Sequence, residues 1–144
     1  MIDSLVAEAA DAGKAAEIAP SRTAQIGEKL RAAISDPAVF RSLSERVVVS
    51  AQHFACDAVL GASRLGDQLA AGAVALANNG LHMLADGERP KRVLIVDGLL
   101  ASGMQLSRAT RQVRSQGASP YAAVVIALAE APLPDSLEQL EVLT

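Results

Sequence analysis

A single cysteine, three aromatic residues and a small negative net charge limit what this sequence can do. The one cysteine, Cys56, excludes an internal disulfide and fits a reducing cytosol. The aromatic residues are Phe40, Phe54 and Tyr121, so a site that stacks a base on a ring has few rings available. The formal net charge of −3 provides no overall basic field to hold a nucleic-acid backbone. Nucleic acid is therefore not an expected partner.

Long apolar segments are also absent from the sequence. No apolar run approaches the roughly 18 residues that span a membrane. The N-terminus, MIDSLVAEAADAGK, has early acids and no basic lead-in to a hydrophobic segment, unlike a signal peptide. We therefore expect a cytoplasmic protein without a membrane partner. Its 144 residues suffice for one domain, and its alanine-rich 51% of hydrophobic residues predicts a core of Leu, Val, Ile and Ala.

The first third of the chain has the residue spacing of helices. An Ala-rich helix is predicted over residues 4–18, and Ser21 can cap a second helix. Asp36 and Pro37 predict the start of a third helix, because an acid favours the cap and proline favours the first turn. Within this third helix the run Val47–Val49 could instead be strand, because its residues are β-branched.

After Asp57, short apolar segments alternate with segments of helical spacing. Strands are predicted at Ala58–Gly61, Leu81–Leu84, Val93–Asp97, Tyr121–Leu128 and Glu141–Leu143, with helices after the first and third of them. This alternation predicts one α/β domain over residues 1–144, with a parallel sheet and helices on both of its faces. Its helical N-terminal segment covers about residues 1–54 and its α/β core about 55–144.

The stretch RVLIVDGLLASGMQL, residues 92–106, has the composition of a site for a phosphorylated ligand. Ligands of open α/β sheets bind at the carboxyl ends of strands, where Asp97 is predicted to lie. The small residues Ala101, Ser102 and Gly103 allow close approach of an anion, and the next helix offers unpaired N–H groups. Asp97 could hold sugar hydroxyls or a hydrated Mg²⁺. A ligand with a phosphate at the helix start and hydroxyls at the acid would be a ribose 5-phosphate.

Two other interpretations of this stretch remain open at the level of the residues. A strand, an acid and a glycine turn occur in many α/β proteins that bind nothing there. Asp97 could also be the phosphoacceptor of a receiver-type domain, since VLIVDG resembles such a strand end. Receivers open with a strand and an acidic pair, whereas this chain opens with three predicted helices. The receiver interpretation is therefore the weaker one.

Two segments in the same order resemble the type I phosphoribosyltransferase family. Val93–Asp97, the apolar pair Leu99–Leu100 and Ala101–Gln105 follow the family's signature of strand, acid, apolar pair and small hydroxyl-containing loop. Upstream, Asp57–Gly66 resembles the strand and short loop that hold pyrophosphate in that family. The resemblance covers roughly residues 45–130. It implies a three-layer phosphoribosyltransferase-like fold.

The resemblance also implies roles for individual residues. The 5-phosphate of phosphoribosyl pyrophosphate would be wrapped by a loop of five residues: Ala101, Ser102, Gly103, Met104 and Gln105. Asp97, the one catalytic candidate, would contact the ribose hydroxyls. Ser63 and Arg64 would face the pyrophosphate. Mg²⁺ would accompany the ligand in an active enzyme, with no separate metal site on the protein, and a homodimer is expected because the family generally pairs.

The sequence departs from the family pattern at several positions. Gly98 stands where most members have a second acid, and Met104 and Gln105 stand where glycine and then threonine or serine are usual. The segment Asn79–Arg92 leaves little room for the family's mobile loop, and no aromatic residue follows Leu128 to recognise a base. Three functions stay open: a phosphoribosyltransferase, a non-catalytic sensor of nucleotides or phosphoribosyl compounds acting on a protein or RNA partner, and a pseudoenzyme serving as an assembly surface.

Overall fold

The computed structural model describes five ranges of the chain, namely residues 28–78, 80–90, 92–100, 104–128 and 139–142. For residues 99–100, 122–128 and 139–142 the backbone alone is described. The helices are α1 (residues 28–34), α2 (Pro37–His53), α3 (Arg64–Leu76) and α4 (Met104–Ser115). The strands are β1 (Ala58–Gly61), β2 (His82–Met83), β3 (Val93–Leu100), β4 (Pro120–Leu128) and β5 (Gln139–Val142). The helix predicted over residues 4–18 and the start of the next one lie outside these ranges.

The strands form one parallel sheet in the order β2-β1-β3-β4-β5. The chain moves outward from β1 to β2 through α3, and in the opposite direction from β3 to β4 through α4. Because parallel crossovers are right-handed, these two opposite directions place α3 and α4 on opposite faces of the sheet. The prediction of a parallel α/β domain with helices on both faces is thus confirmed.

Two hydrophobic clusters cover the two faces of the sheet. Leu94 and Val96 of β3 point toward α2 and α3, and the cluster on this face includes Leu30, Leu43, Val47, Val59 and Leu69. Val93 and Ile95 point the other way, toward α4, and pack with Leu106, Ala109, Val113 and Ala118. Alternate side chains of β3 therefore pack on opposite faces of the sheet, as the two-residue period of a strand requires.

Helix α2 is the segment for which the sequence left helix and strand open. Its first turn is fixed by Asp36, whose Oδ1 accepts a hydrogen bond from the backbone N–H of Ala38 at 2.9 Å, and by Pro37 at the first helical position. Val47 is fully buried, whereas Val49 is 61% exposed. Burial at every fourth residue, rather than at alternate residues, explains why the three valines are helical.

The sequence placed the end of β3 three residues too early. The predicted strand ended at Asp97, but β3 continues to Leu100 because Leu99 and Leu100 pair with Ala127 and Leu128 of β4. Asp97 consequently lies inside the strand, three residues before its carboxyl end. The bounds of β1 are as predicted, and boundaries elsewhere shift by no more than three residues, as is usual at element ends. None of the helices in the described ranges has the length and apolar character needed to cross a bilayer.

Candidate functional site

A hydrogen bond joins the two chain segments that the sequence singled out. Ser63 is the second residue after β1, and Asp97 lies near the carboxyl end of β3. The Ser63 hydroxyl donates to Oδ1 of Asp97 at 2.7 Å, across 34 positions of sequence. The strands β1 and β3 are neighbours in the sheet, and the helical connections that follow them lead to opposite edges. The bond therefore lies at the topological switch point, where open α/β sheets bind ligands.

Close packing of α3 against β3 keeps this edge of the sheet in position. Gly66, in the first turn of α3, lies directly against the backbone carbonyl of Val96, and a Cβ at this position would overlap that oxygen. Only glycine permits an approach this close without a shift of the backbone. Both Gly66 and Val96 are buried, which fixes the start of α3 relative to Asp97, the next residue of β3.

Ser63 uses its hydroxyl group in two directions. As the N-cap residue of α3 it accepts a hydrogen bond from the backbone N–H of Gly66 at 3.1 Å, which satisfies one of the unpaired donors of the first turn. The same hydroxyl donates to Asp97. Ser63 therefore connects the start of α3 to the carboxylate on β3, and a change at Ser63 affects both.

Asp97 is 2% exposed, and its side chain lies on the α4 side of the sheet, in phase with Val93 and Ile95. Its Oδ1 accepts from the Ser63 hydroxyl and from the backbone N–H of Gly98 at 2.8 Å. Burial raises the pKa of this carboxyl above its ordinary value, and the two hydrogen bonds oppose that rise. The site thus holds a desolvated acid whose orientation is fixed from two sides.

The structure brings some of the predicted site residues to this edge and does not describe others. Arg64 begins α3 next to Ser63 and is exposed. Met104 and Gln105 begin α4 and are exposed, Met104 by 61%. Ala101, Ser102 and Gly103, the centre of the predicted phosphate loop, lie outside the described residues.

Hydrogen bonds join the connection between α3 and β3 to the residue that follows α4. The side-chain amide of Gln116 donates to the carbonyl oxygens of Ala85 and Glu88, at 2.8 and 2.9 Å. The Glu88 carboxylate in turn accepts from the Ala85 backbone N–H at 3.1 Å and contacts Nε2 of His82 at 2.5 Å. These bonds leave the described part of the connection, residues 80–90, little freedom to move as a lid.

His82 of β2 has an acidic partner, Glu88. His82 and Glu88 are brought together by the turn at residues 85–88, which their spacing alone does not indicate. The pKa of His82 is raised, first by its hydrogen bond with the Gly80 carbonyl and then by Glu88. The pKa of Glu88 is lowered, first by the Ala85 N–H and then by His82.

The aromatic residues lie away from the Ser63–Asp97 pair. Tyr121 is at the start of β4, at the opposite end of the sheet, where the Arg92 guanidinium lies 4.0 Å from its ring centroid. Phe54, at the end of α2, contacts the same ring. Arg92 also donates to the Phe54 carbonyl at 2.9 Å. This cluster anchors the end of α2 and offers no base platform at the candidate site.

Neither Ser63 nor Asp97 lines either of two surface cavities. One, of about 610 Å³, lies on the outer side of α1, α2 and α3 and is lined by Ile34, Phe40 and Gly72 among others. The second, of about 280 Å³, lies at the amino ends of the strands beside Asp57 and Cys56. Burial raises the pKa of the Cys56 thiol to about 11, so it is not a reactive nucleophile.

Comparisons of the chain with models of known families, with characterised proteins and with solved structures found no match. The geometry of this edge and the sequence motifs that lie there are therefore the features that indicate a function.

Proposed function

We propose that the protein binds phosphoribosyl pyrophosphate, or a related ribose 5-phosphate compound, at the carboxyl ends of β1 and β3. The observation that carries this proposal is the hydrogen bond from Ser63 to Asp97. It joins the two segments that separately resemble a pyrophosphate loop and a ribose-phosphate loop, and it joins them at the switch point of a parallel sheet.

In this proposal the ligand lies along the edge of the sheet from Arg64 to the start of α4. The loop of residues 101–103 and the first N–H groups of α4 would bind the 5-phosphate, because a helix N-terminus favours an anion. Asp97 would hold ribose hydroxyls, and Arg64 would face the pyrophosphate. The exposure of Met104 supports this arrangement, because its side chain is not packed into the interior beside Asp97.

A Mg²⁺ ion fits this site only as part of the ligand. Among the residues that the structure describes, no cluster of three or more His, Cys, Asp or Glu residues could hold a metal. Asp97 is one buried carboxyl, and its described hydrogen bonds already use Oδ1. Mg²⁺ commonly binds through one or two carboxylates together with substrate phosphates and water. The ion would neutralise charge on the pyrophosphate group, and the phosphates would be its main ligands.

Binding without transfer is the form of this function that the structure supports better. Transfer requires water to be excluded when the site closes, and the connection between α3 and β3 is held by Gln116. A transferase would displace pyrophosphate from the ribose by a nitrogen base, with positioning and charge stabilisation in place of a side-chain nucleophile. A sensor needs the binding step alone.

Calorimetric titration with phosphoribosyl pyrophosphate, with and without Mg²⁺, tests the proposal. We expect saturable binding by the wild type, and a loss of about tenfold or more in affinity for each of two variants. Asp97→Asn removes the charge and one of the acceptor oxygens proposed to hold ribose hydroxyls, and Ser102→Ala removes the hydroxyl proposed to donate to the phosphate. Asp57→Asn is the matched control, because it removes an exposed acid from the other end of β1. No binding at millimolar ligand, or equal weakening in the control, would reject the proposal.

Pyrophosphate release then distinguishes the two forms of the function. A binding protein that shows no release with any nucleobase is a sensor, whereas release that depends on a base and on Mg²⁺ identifies a transferase. The homodimer expected from the family resemblance stays a prediction, which sedimentation of the full chain tests.

A further inference from the structure

Helix α4 carries a positive face that the proposed ligand site does not use. Its sequence, MQLSRATRQVRS, contains three arginines and no acid. Arg108, Arg111 and Arg114 are all exposed. No carboxylate among the described residues lies within ion-pairing distance of their guanidinium groups, whereas Arg31 and Arg41 elsewhere have such partners. The charge is local, because the whole chain has a net charge of −3.

Four of the exposed residues of α4 form one stripe along the helix. Met104, Arg108, Arg111 and Ser115 follow the spacing i, i+4, i+7 and i+11, which keeps them on the same side, and Arg114 flanks the stripe. The opposite side of α4 is buried against β3 through Leu106, Ala109 and Val113. The stripe is about 18 Å long, the length of a 12-residue helix.

The spacing of the arginines is unfavourable for α4 by itself. Arg108, Arg111 and Arg114 are three positions apart, where like charges repel on a helix surface. Only Arg114 lies in the last turn, where the helix dipole favours a cation. A partner that brings negative charge to this face removes the repulsion, so the arrangement favours an anionic partner.

The composition of the stripe favours a protein over a nucleic acid. Arginine and methionine are both enriched in protein interfaces, and the Met104 side chain is 61% exposed at one end of the stripe. Single-stranded nucleic acid is usually held by aromatic stacking, but the described aromatic rings lie on other elements. Guanidinium groups pair with carboxylates in bidentate geometry.

We propose that α4 docks an acidic helix or segment of a partner protein, with Arg108 and Arg111 pairing with its carboxylates and Met104 contacting an apolar side chain. Four side chains make a small interface, so the complex is transient. The stripe shares Met104 with the proposed phosphate loop, whereas Arg108 and Arg111 lie about one and two turns further along α4.

Fluorescence anisotropy with a synthetic peptide tests this proposal. The probe is a short labelled helical peptide whose glutamates, spaced four residues apart, flank a stripe of leucines. We expect binding that Arg108→Gln with Arg111→Gln weakens about tenfold or more, and that Met104→Gln weakens severalfold. Arg41→Gln with Arg46→Gln, on α2, removes the same charge and should leave the affinity unchanged. Circular dichroism shows whether each variant is folded.

Three outcomes would overturn the proposal. One is the absence of binding at millimolar peptide. Another is binding that the α2 control weakens as much as the α4 variant does. Binding that changes neither with Met104→Gln nor with a peptide carrying serine in place of leucine counts equally, since either result indicates unspecific charge attraction. The third is tighter binding of a short duplex or single-stranded RNA that depends on Arg108 and Arg111, which would assign the face to nucleic acid.

Discussion

At the scale of single residues, Ser63 has more structural consequences than any other residue of the candidate site. Its hydroxyl caps α3 and also fixes the Asp97 carboxylate. These two roles are inseparable in one side chain, because the helix begins at the point where the strands β1 and β3 lie side by side. The sequence identified both residues, but not their bond, since that bond depends on the order of the strands.

Replacement of Ser63 by alanine should reduce the free energy of unfolding by about 1–2 kcal/mol, because it removes the N-cap and a hydrogen bond to a buried acid. Urea denaturation measures the change. Ser115→Ala is the control, since Ser115 is exposed and donates within its own helix to Gln112, and it should change stability by no more than about 0.5 kcal/mol. Equal effects of the two substitutions would contradict the role given to Ser63.

The raised pKa of Asp97 makes a prediction about pH. A carboxyl whose pKa is higher in the folded than in the unfolded chain stabilises the fold below its unfolded pKa, and this contribution is lost as pH rises through the folded pKa. Asp97→Asn removes the ionisation. We therefore expect the variant to gain stability relative to the wild type between pH 4 and pH 7, in urea denaturation at both values. A relative loss of stability over this interval would show that the native site favours the ionised form.

At the scale of elements, the sequence predicted the alternation of strands and helices, but not the features that depend on contacts between distant segments. The alternation of apolar strands with helices was enough to place β1 and α4 and to assign the parallel sheet. The extension of β3 to Leu100 was missed because it follows from pairing with β4, which has no local signal. The contact of Gln116 with residues 85 and 88 was missed for the same reason, because it joins segments about 30 positions apart.

The connection between α3 and β3 should become more mobile when its hydrogen bonds with Gln116 are removed. Gln116→Ala deletes the donor to Ala85 and Glu88, so we expect faster hydrogen exchange of the backbone amides in residues 84–89, without a change in α3. Gln112→Ala, at an exposed position of α4, is the matched control. Unchanged exchange would mean that other contacts hold this segment, and the structural argument against a mobile lid would no longer rest on Gln116.

At the scale of the whole molecule, polar and charged functions are distributed over separate surfaces. The carboxyl ends of β1 and β3 carry the buried acid and the capped start of α3. The amino ends carry Arg92, Tyr121 and Phe54, which join α2 to the sheet. The outer face of α4 carries three exposed arginines, none of which has a carboxylate partner among the described residues. The proposed sensor would require two such surfaces, one for a small ligand and one for a partner, and both of the proposed sites adjoin α4.

The location of the ligand is the central claim, and a nuclear magnetic resonance titration tests it most directly. Backbone amide shifts of the isotope-labelled protein are followed as phosphoribosyl pyrophosphate and Mg²⁺ are added. We predict that the largest changes occur at residues 63–66 and 97–105, with residues 55–58 at the other end of β1 unaffected, and that Asp97→Asn reduces them. Changes concentrated at the amino ends of the strands, or in the cavity beside Phe40, would contradict the account.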